Sequence, residues 1–293
     1  MQLEAFAKIN WTLDIIGQRD DGYHLMDMLM QPVSLADEIT ISPSRDIELS
    51  VSGSPSVRAD AKNLAYRAAV LLRQTGHVSS GAHIHLSKKI PVGAGLGGGS
   101  ADAAAVLLGL NRLWQLQLSG KQLEELGLTL GADVPFCVRG GLCRTTGIGE
   151  HLESCECSHH YYILLVQPCR GLSTGEVFSA YHEDPGSERP RTDQALSALQ
   201  CGDLTLLASS LGNVLEAPAV RMRPEINQAC TVLLEYGALA ARMTGSGSAV
   251  FGLFRTGKAA SEAYAICSRR WKNTYLCHTQ QDSVRIYEDS VQR

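Results

Sequence analysis

The 293-residue chain contains no apolar run approaching the length of a membrane span, so a membrane is not expected as a partner. It has no excess of basic charge either. Its 26 Lys and Arg against 30 Asp and Glu leave a formal net charge of -4, which argues against general nucleic-acid binding through a basic surface. The first residues, Met1-Gln2-Leu3-Glu4-Ala5, lack the basic-then-apolar layout of a signal peptide. The nine cysteines are an odd number scattered mostly through hydrophobic segments, which fits reduced thiols and a cytoplasmic location better than a disulfide framework. There is no internal repeat and no low-complexity tract. At 44% hydrophobic residues, the length suffices for two modest domains or one large one.

Glycine, by contrast, is concentrated. Five of the seven residues from Gly93 to Gly99 are glycine, and the run Pro91-Val92-Gly93-Ala94-Gly95-Leu96-Gly97-Gly98-Gly99-Ser100-Ala101 passes directly into an Ala/Leu-rich helix expected over about Ala101–Trp114. Bare peptide N–H groups next to a helix N-terminus form an anion site, most often for phosphate. A flexible linker is the alternative, but linkers do not specify an abrupt helix start. The spacing Gly93-x-Gly95-x-x-Gly98 matches a dinucleotide fingerprint literally. However, the preceding Ser87-Lys88-Lys89-Ile90-Pro91 is too charged for a buried parallel strand, and a helix start stands where the acidic strand end should be. The P-loop pattern fails as well, because Gln122 follows Gly120-Lys121 and Ala259 follows Gly257-Lys258. A third kind of phosphate loop is required.

Along the chain, Phe6–Ile15 reads as a strand that places Lys8, Asn10 and Thr12 on one side, as either a site lining or a solvated face. Asp21-Gly22 is a turn, followed by Tyr23 and His24. Residues 38–42 and 47–52 read as a hairpin through Pro43–Asp46, 64–73 as a helix capped by Asn63 and stopped by Gly76, and 84–86 as a short strand. Ser119 opens a helix with a capping box. Asp133, in Gly131-Ala132-Asp133-Val134-Pro135-Phe136, is a lone acid among small and apolar residues, either a helix N-cap or a functional carboxylate. Cys137–Thr146 suggests a strand pair through Gly140-Gly141. His151, Cys155, Cys157, His159 and His160 lack zinc-site spacing and read as a hairpin loop. From about residue 158 the pattern becomes β-α-β-β-α-β, that of a ferredoxin-like sandwich, with helical stretches at 174–181 and 192–210 and a polar loop at 183–190 between them. Thr244-Gly245-Ser246-Gly247-Ser248 has more small residues than a plain hairpin needs, which favours a ligand role.

Ala7-Lys8-Ile9-Asn10, the Pro91–Ala103 loop and Thr244–Ser248, in that order and spacing, resemble the GHMP small-molecule kinase superfamily over nearly the whole chain. Within it, Gly17–His24, Leu130–Pro135 and Thr244–Gly247 are similar to the members that phosphorylate a cytidine-diphosphate-linked methylerythritol in non-mevalonate isoprenoid synthesis. The resemblance implies an α+β, two-domain GHMP kinase fold: a ribosomal-S5-like β/α domain over 1–157 and a ferredoxin-like α/β sandwich over 158–293. It implies ATP and Mg2+ as cofactors, with Pro91–Ala101 around the ATP phosphates. Lys8 and Asp133 would be catalytic, and Asn10, Tyr23, His24, Thr174, Gly245 and Ser246 would bind the small-molecule substrate. A homodimer is the assembly to be tested. Another kinase of the superfamily, acting on mevalonate, homoserine or a sugar, and a non-catalytic nucleotide sensor are the alternatives. Two departures stand out: Ser100-Ala101-Asp102 where some relatives carry Ser-Ser-Asn, which leaves open whether Asp102 helps hold Mg2+, and Val214 where many carry Asp.

Overall fold

The structure, a computed structural model, describes residues 1–183 and 188–287. The expected loop over 183–190 therefore falls partly outside the described residues, at 184–187.

The first half builds a sheet with helices on one face. Strands β1 (Gln2–Gln18) and β2 (His24–Ser44) form a long antiparallel hairpin, and β3 (Ile47–Ser52), α1 (Leu64–Thr75) and β4 (Gly81–Ser87) follow. Strands β2 and β3 are not the hairpin that the sequence suggests. β4 lies between them, antiparallel to β2 and parallel to β3, because α1 carries the chain across in a β-α-β connection. Helix α1 is bounded as expected: Asn63 Oδ1 accepts the Ala65 N–H at 2.9 Å and Gly76 closes the C-terminus.

Helix α2 (Gly98–Leu113) starts three residues earlier than expected, so the last glycines form its first turn. Its Ala101, Ala103, Ala104 and Ala105 are all fully buried, and these small side chains let it settle between the sheet and its neighbouring helices. Helix α3 (Gly120–Leu128) has the full capping box of Ser119 and Gln122. Val134 to Arg139, expected in part as a strand, is a short helix, α4. Pro135 favours its first turn, Val134, Pro135, Phe136 and Cys137 are buried, and Gly140 ends it. Only then do β5 (Leu142–Gly147) and β6 (His151–Cys155) form a hairpin that extends β2. His151 and Cys155 lie on β6, and among the described residues no three metal-ligating side chains gather.

The second half supplies β7 (Tyr162–Val166), α5 (Thr174–Ser179), α6 (Thr192–Cys201), α7 (Leu204–Ser210), β8 (Gly212–Asn213), α8 (Glu216–Met222), α9 (Glu225–Glu235), β9 (Ala240–Met243), β10 (Val250–Phe254), α10 (Gly257–Arg270) and β11 (Thr274–His278). The helical stretch expected over 192–210 is broken at Gly202, and Asp203 caps the new helix with bonds from Thr205 and Leu206. The sheet order β11-β7-β10-β9, with every pair antiparallel, is that of the ferredoxin-like sandwich. Two strands return to the first sheet. β8 pairs with β1 at Thr12 and Leu13, and β12 (Val284–Tyr287) pairs with the start of β1.

The two sheets meet over an apolar seam. Ala7, Ile9 and Trp11 from β1 pack with Ile163, Leu165, Phe251 and Leu253. Trp11 meets Tyr161 and Phe251 edge-on, each at 5.6 Å, and satisfies its Nε1–H on Gln31 at 2.9 Å.

Candidate active site

Two irregularities in β1 decide what faces the site. The β1–β2 register slips between Phe6 and Lys8 and again between Asn10 and Thr12. The first slip leaves three residues of β2 opposite Ala7, the second is a one-residue bulge in β1 at Trp11, and the facing of β1 changes across both. Leu3 and Ala5 point into the helix-side core, Ala7, Ile9 and Trp11 into the seam, and Leu13 and Ile15 again into the helix-side core. Between the slips Lys8 and Asn10 point to the helix side, into a cavity of about 1270 Å³. Thr12 does not join them. The second slip turns it away, and its hydroxyl accepts the Leu29 N–H at 3.1 Å and a bond from Thr192 at 3.3 Å.

The glycine loop roofs this cavity. Ala94 and Leu96 anchor it by inserting their side chains into the seam core, while Ala249 N–H donates to Ala94 O at 3.1 Å and Lys8 N–H to Leu96 O at 3.0 Å. The Ala101 N–H donates to Gly97 O at 2.9 Å as the first bond of α2, so the N–H groups of Gly98, Gly99 and Ser100 precede the helical ladder. Residues 91–100 all line the cavity. Ala101 does not, because its amide is used by the helix and its methyl is fully buried in the core. Gly95, at φ +75, presses against the second glycine turn: a Cβ there would lie 2.2 Å from Thr244 O. The Lys8 stem runs beneath Gly97, whose Cβ would lie 3.0 Å from Lys8 Cγ.

Lys8 is the central cation. Its side chain is only 5% exposed, and its Nζ donates to Asn10 Oδ1 at 2.8 Å and lies 3.5 Å from Asp133 Oδ2. Asp133 stands at the N-cap position of α4, yet its side chain makes no capping bond, so the carboxylate is free to face the cavity beside Lys8. Cys137, one turn along α4, is held as a neutral thiol by burial, with Asp133 adding to the effect. The second glycine turn closes this end. Asn10 N–H donates to Thr244 Oγ1 at 2.9 Å, and Thr174 and Ser246 join hydroxyls at 2.9 Å.

The cavity has two arms. One is aromatic: Tyr23 is 61% exposed at the β1–β2 turn, and the His24 ring meets Phe178 at 5.5 Å and Tyr181 at 5.9 Å. Phe178 lies on α5 and Tyr181 just beyond it, and the sequence reading passed over both because neither sits in a recognisable motif. The other arm is polar and includes Ser56, Val57, Arg58, Lys62 and Asn63. Beneath the loop, Lys88 pairs with both Asp37 and Asp102. Burial pushes the Asp102 carboxyl up to about 7; Lys88 pulls against that shift and Asp37 reinforces it. Asp102 is thus engaged by Lys88 through Oδ2, and its Oδ1 has no hydrogen-bond partner.

The descriptions "GHMP kinases N terminal domain" and "GHMP kinases C terminal" match residues 63–141 and 195–273. The 4-diphosphocytidyl-2-C-methyl-D-erythritol kinase of Alkaliphilus metalliredigens is 42% identical over 277 residues, 94% of this chain and 95% of its own length. That of Bacillus pumilus is also 42% identical, over 86% of this chain and 87% of its own. A crystal structure of 4-(cytidine 5'-diphospho)-2C-methyl-D-erythritol kinase superposes with a TM-score of 0.82 at 34% identity, covering 95% of this chain and 99% of that one. Homoserine kinase from Cytophaga hutchinsonii shares the fold at 18% identity, with a TM-score of 0.77 over 97% and 96% of the two chains.

Proposed function

The chain belongs to the 4-diphosphocytidyl-2-C-methyl-D-erythritol kinase family of the GHMP kinases, and from that membership we propose how its own residues phosphorylate the 2-hydroxyl of 4-(cytidine 5'-diphospho)-2-C-methyl-D-erythritol with ATP. The observation that carries the reading is the Lys8–Asp133 pair, 3.5 Å apart beside the open amides at the start of α2.

The Gly98, Gly99 and Ser100 amides hold phosphate oxygens at the positive end of α2. The polar arm at 56–63 takes the adenosine. Tyr23 and Phe178 offer faces for the cytosine and His24 offers ring nitrogens for its edge, so binding energy far from the reacting centre aligns the acceptor hydroxyl. Asp133 takes the hydroxyl proton as the oxygen attacks the terminal phosphorus, whose bond to the bridging oxygen breaks and releases ADP. Lys8, oriented by Asn10, neutralises charge on the transferring group. Thr174, Gly245 and Ser246 close over the acceptor. Asp133 gives the site one carboxylate for a hard divalent cation, and Mg2+ is commonly bound by one or two carboxylates together with substrate phosphates. The residues present therefore fit Mg2+, which supplies charge neutralisation on the triphosphate when bound. Asp102 also lines the cavity, with Oδ2 on Lys88 and Oδ1 unpartnered.

We further propose the division into residues 1–157 and 158–293 as two folding units, with β8 and β12 exchanged into the first sheet. A cytoplasmic location fits the absence, among the described residues, of any helix long and apolar enough to cross a membrane. A homodimer is tested by sedimentation. The function is tested by comparing turnover on the cytidyl substrate with turnover on mevalonate, homoserine and hexoses. Selective, ATP-dependent phosphorylation of the first is expected. Equal or greater turnover on another acceptor refutes the substrate assignment, and nucleotide binding without any turnover points instead to a sensor.

A further inference from the structure

Asp37 lies on β2, wholly buried, and does not line the cavity. Its side-chain hydrogen bonds all run to residues 88–90, at the near end of the glycine loop, and Lys88 carries the link on to the far end. Oδ1 accepts the N–H groups of Lys89 at 2.5 Å and Ile90 at 2.9 Å, where the chain leaves β4. Oδ2 pairs with the Lys88 ammonium, and Lys88 also pairs with Asp102 in the second turn of α2. Residues 88 and 102 bracket all five glycines of the loop. Asp37 Oδ2 also lies only 3.7 Å from where a Cβ of Gly98 would sit, so it abuts the far end of the loop as well.

Burying one ammonium and two carboxylates is expensive, and a well-packed apolar trio would serve stability as well or better. Ala94 and Leu96 hold the middle of the loop in the seam core, but that leaves its two ends to be ordered separately. Glycine loses more backbone freedom on ordering than any other residue, and five of them would otherwise lose it when the nucleotide arrives. A ligand that must order its own cradle binds more weakly.

We propose that Asp37 is a positioning residue for nucleotide binding: with Lys88 it latches the two ends of the phosphate loop to β2 and so holds the loop formed before ATP arrives. The proposal rests on the kinase reading above for its ligand, but the latch itself is measurable without one. Asp37→Ala removes every contact. Asp37→Asn keeps a carbonyl oxygen for Lys89 and Ile90 but removes the charge and puts an NH2 donor where Oδ2 accepted from Lys88. Hydrogen exchange of the unliganded enzyme, read on the peptide spanning 88–101, is expected to be faster in Asp37→Ala and intermediate in Asp37→Asn. The KM for ATP is expected to rise by about tenfold or more in Asp37→Ala, the scale of losing hydrogen bonds to a charged group, while that for the cytidyl substrate stays within about twofold. Unchanged exchange over 88–101 overturns the latch, as does an equal rise in both KM values with a lowered Tm, which marks a general structural role. If Asp37→Ala does not fold, Asp37→Asn carries both measurements. A wild-type enzyme that fails to phosphorylate the substrate would reject the kinase reading, while the exchange result would still decide the latch.

Discussion

Gly95→Ala separates steric from conformational effects at the point where the two glycine turns touch. Gly95 has φ +75, and alanine in that region costs about 1–2 kcal/mol on backbone grounds alone. Gly237, at φ +91 in the turn after α9, carries the same backbone cost and has no heavy atom within 4 Å of an added Cβ. Gly237→Ala is therefore the matched control, expected to lower stability by about 1–2 kcal/mol and leave kinetics alone. At Gly95 the new methyl would lie 2.2 Å from Thr244 O and 3.0 Å from Gly247 N, both backbone atoms that no rotamer change can move. Restoring an ordinary contact separates the turns by about 1 Å, and displacements of that size in an active site cost on the order of a hundredfold in rate. The loop and the Thr244–Ser248 turn flank Lys8 together, so kcat/KM is expected to fall by about that factor, with a stability loss somewhat greater than that of the control. The assay pairs steady-state phosphorylation of the cytidyl substrate with thermal unfolding of both variants. Equal kinetics for Gly95→Ala and Gly237→Ala would show that the contact between the turns does not set the geometry of transfer.

Other perturbations test the remaining parts of the site. Asp133→Asn is expected to lower kcat by about two to four orders of magnitude with ATP affinity nearly intact in a binding titration; parallel loss of both would make Asp133 structural. Tyr23→Ala and Phe178→Ala each remove a stacking face and are expected to raise the KM for the cytidyl substrate by roughly tenfold while sparing that for ATP, so an unchanged substrate KM would remove stacking from the mechanism. The Asp102 carboxyl sits at about 7 in the folded protein against 3.8 when unperturbed. The native state therefore binds the extra proton, and the group's contribution to stability is lost as pH rises from about 4 through about 7. Asp102→Asn removes that loss, so urea unfolding should show the variant gaining on the wild type by a few kcal/mol between pH 5 and pH 8. A difference independent of pH would contradict the assignment.

The parts of the site legible in the sequence were those whose chemistry is local. Five glycines before a helix announce an anion cradle whatever the rest of the chain does. The Ser119 capping box and the Asn63 cap likewise depend on atoms within three residues. What escaped depends on partners distant in the chain. Strand β4 enters between β2 and β3 because α1 leads it there, and the alternation within 38–42 and 47–52 looks the same for a hairpin or a split pair. The Val134–Arg139 helix read partly as strand because six mostly apolar residues show too little periodicity to choose. Asp37 belongs to none of the motifs legible in the sequence. Its three polar partners, the Lys88 ammonium and the Lys89 and Ile90 amides, lie 51 to 53 residues away, and composition cannot distinguish that lysine from a solvated one.

The slips in β1 explain why Lys8 could be named from a motif yet its neighbours could not be sorted by alternation. A strand of strict period two would place Leu3, Ala5, Ala7, Ile9, Trp11 and Leu13 on one face and Lys8, Asn10 and Thr12 on the other. Two cores on opposite sides of the sheet could not then both be supplied. The first slip hands the seam three residues, Ala7, Ile9 and Trp11, and turns Lys8 and Asn10 toward the helix side; the second returns that side to Leu13 and Ile15. The polar window of the site is thus as wide as the distance between two bulges. The same seam core also receives Ala94 and Leu96 from the phosphate loop. The cation and the anion cradle are consequently referenced to one packed layer, the lysine through the strand that forms it and the loop through two side chains sunk into it. That shared layer holds Lys8 under Gly97 with no direct hydrogen bond from the ammonium to the loop, and it leaves the ammonium to Asn10, Asp133 and the open cavity.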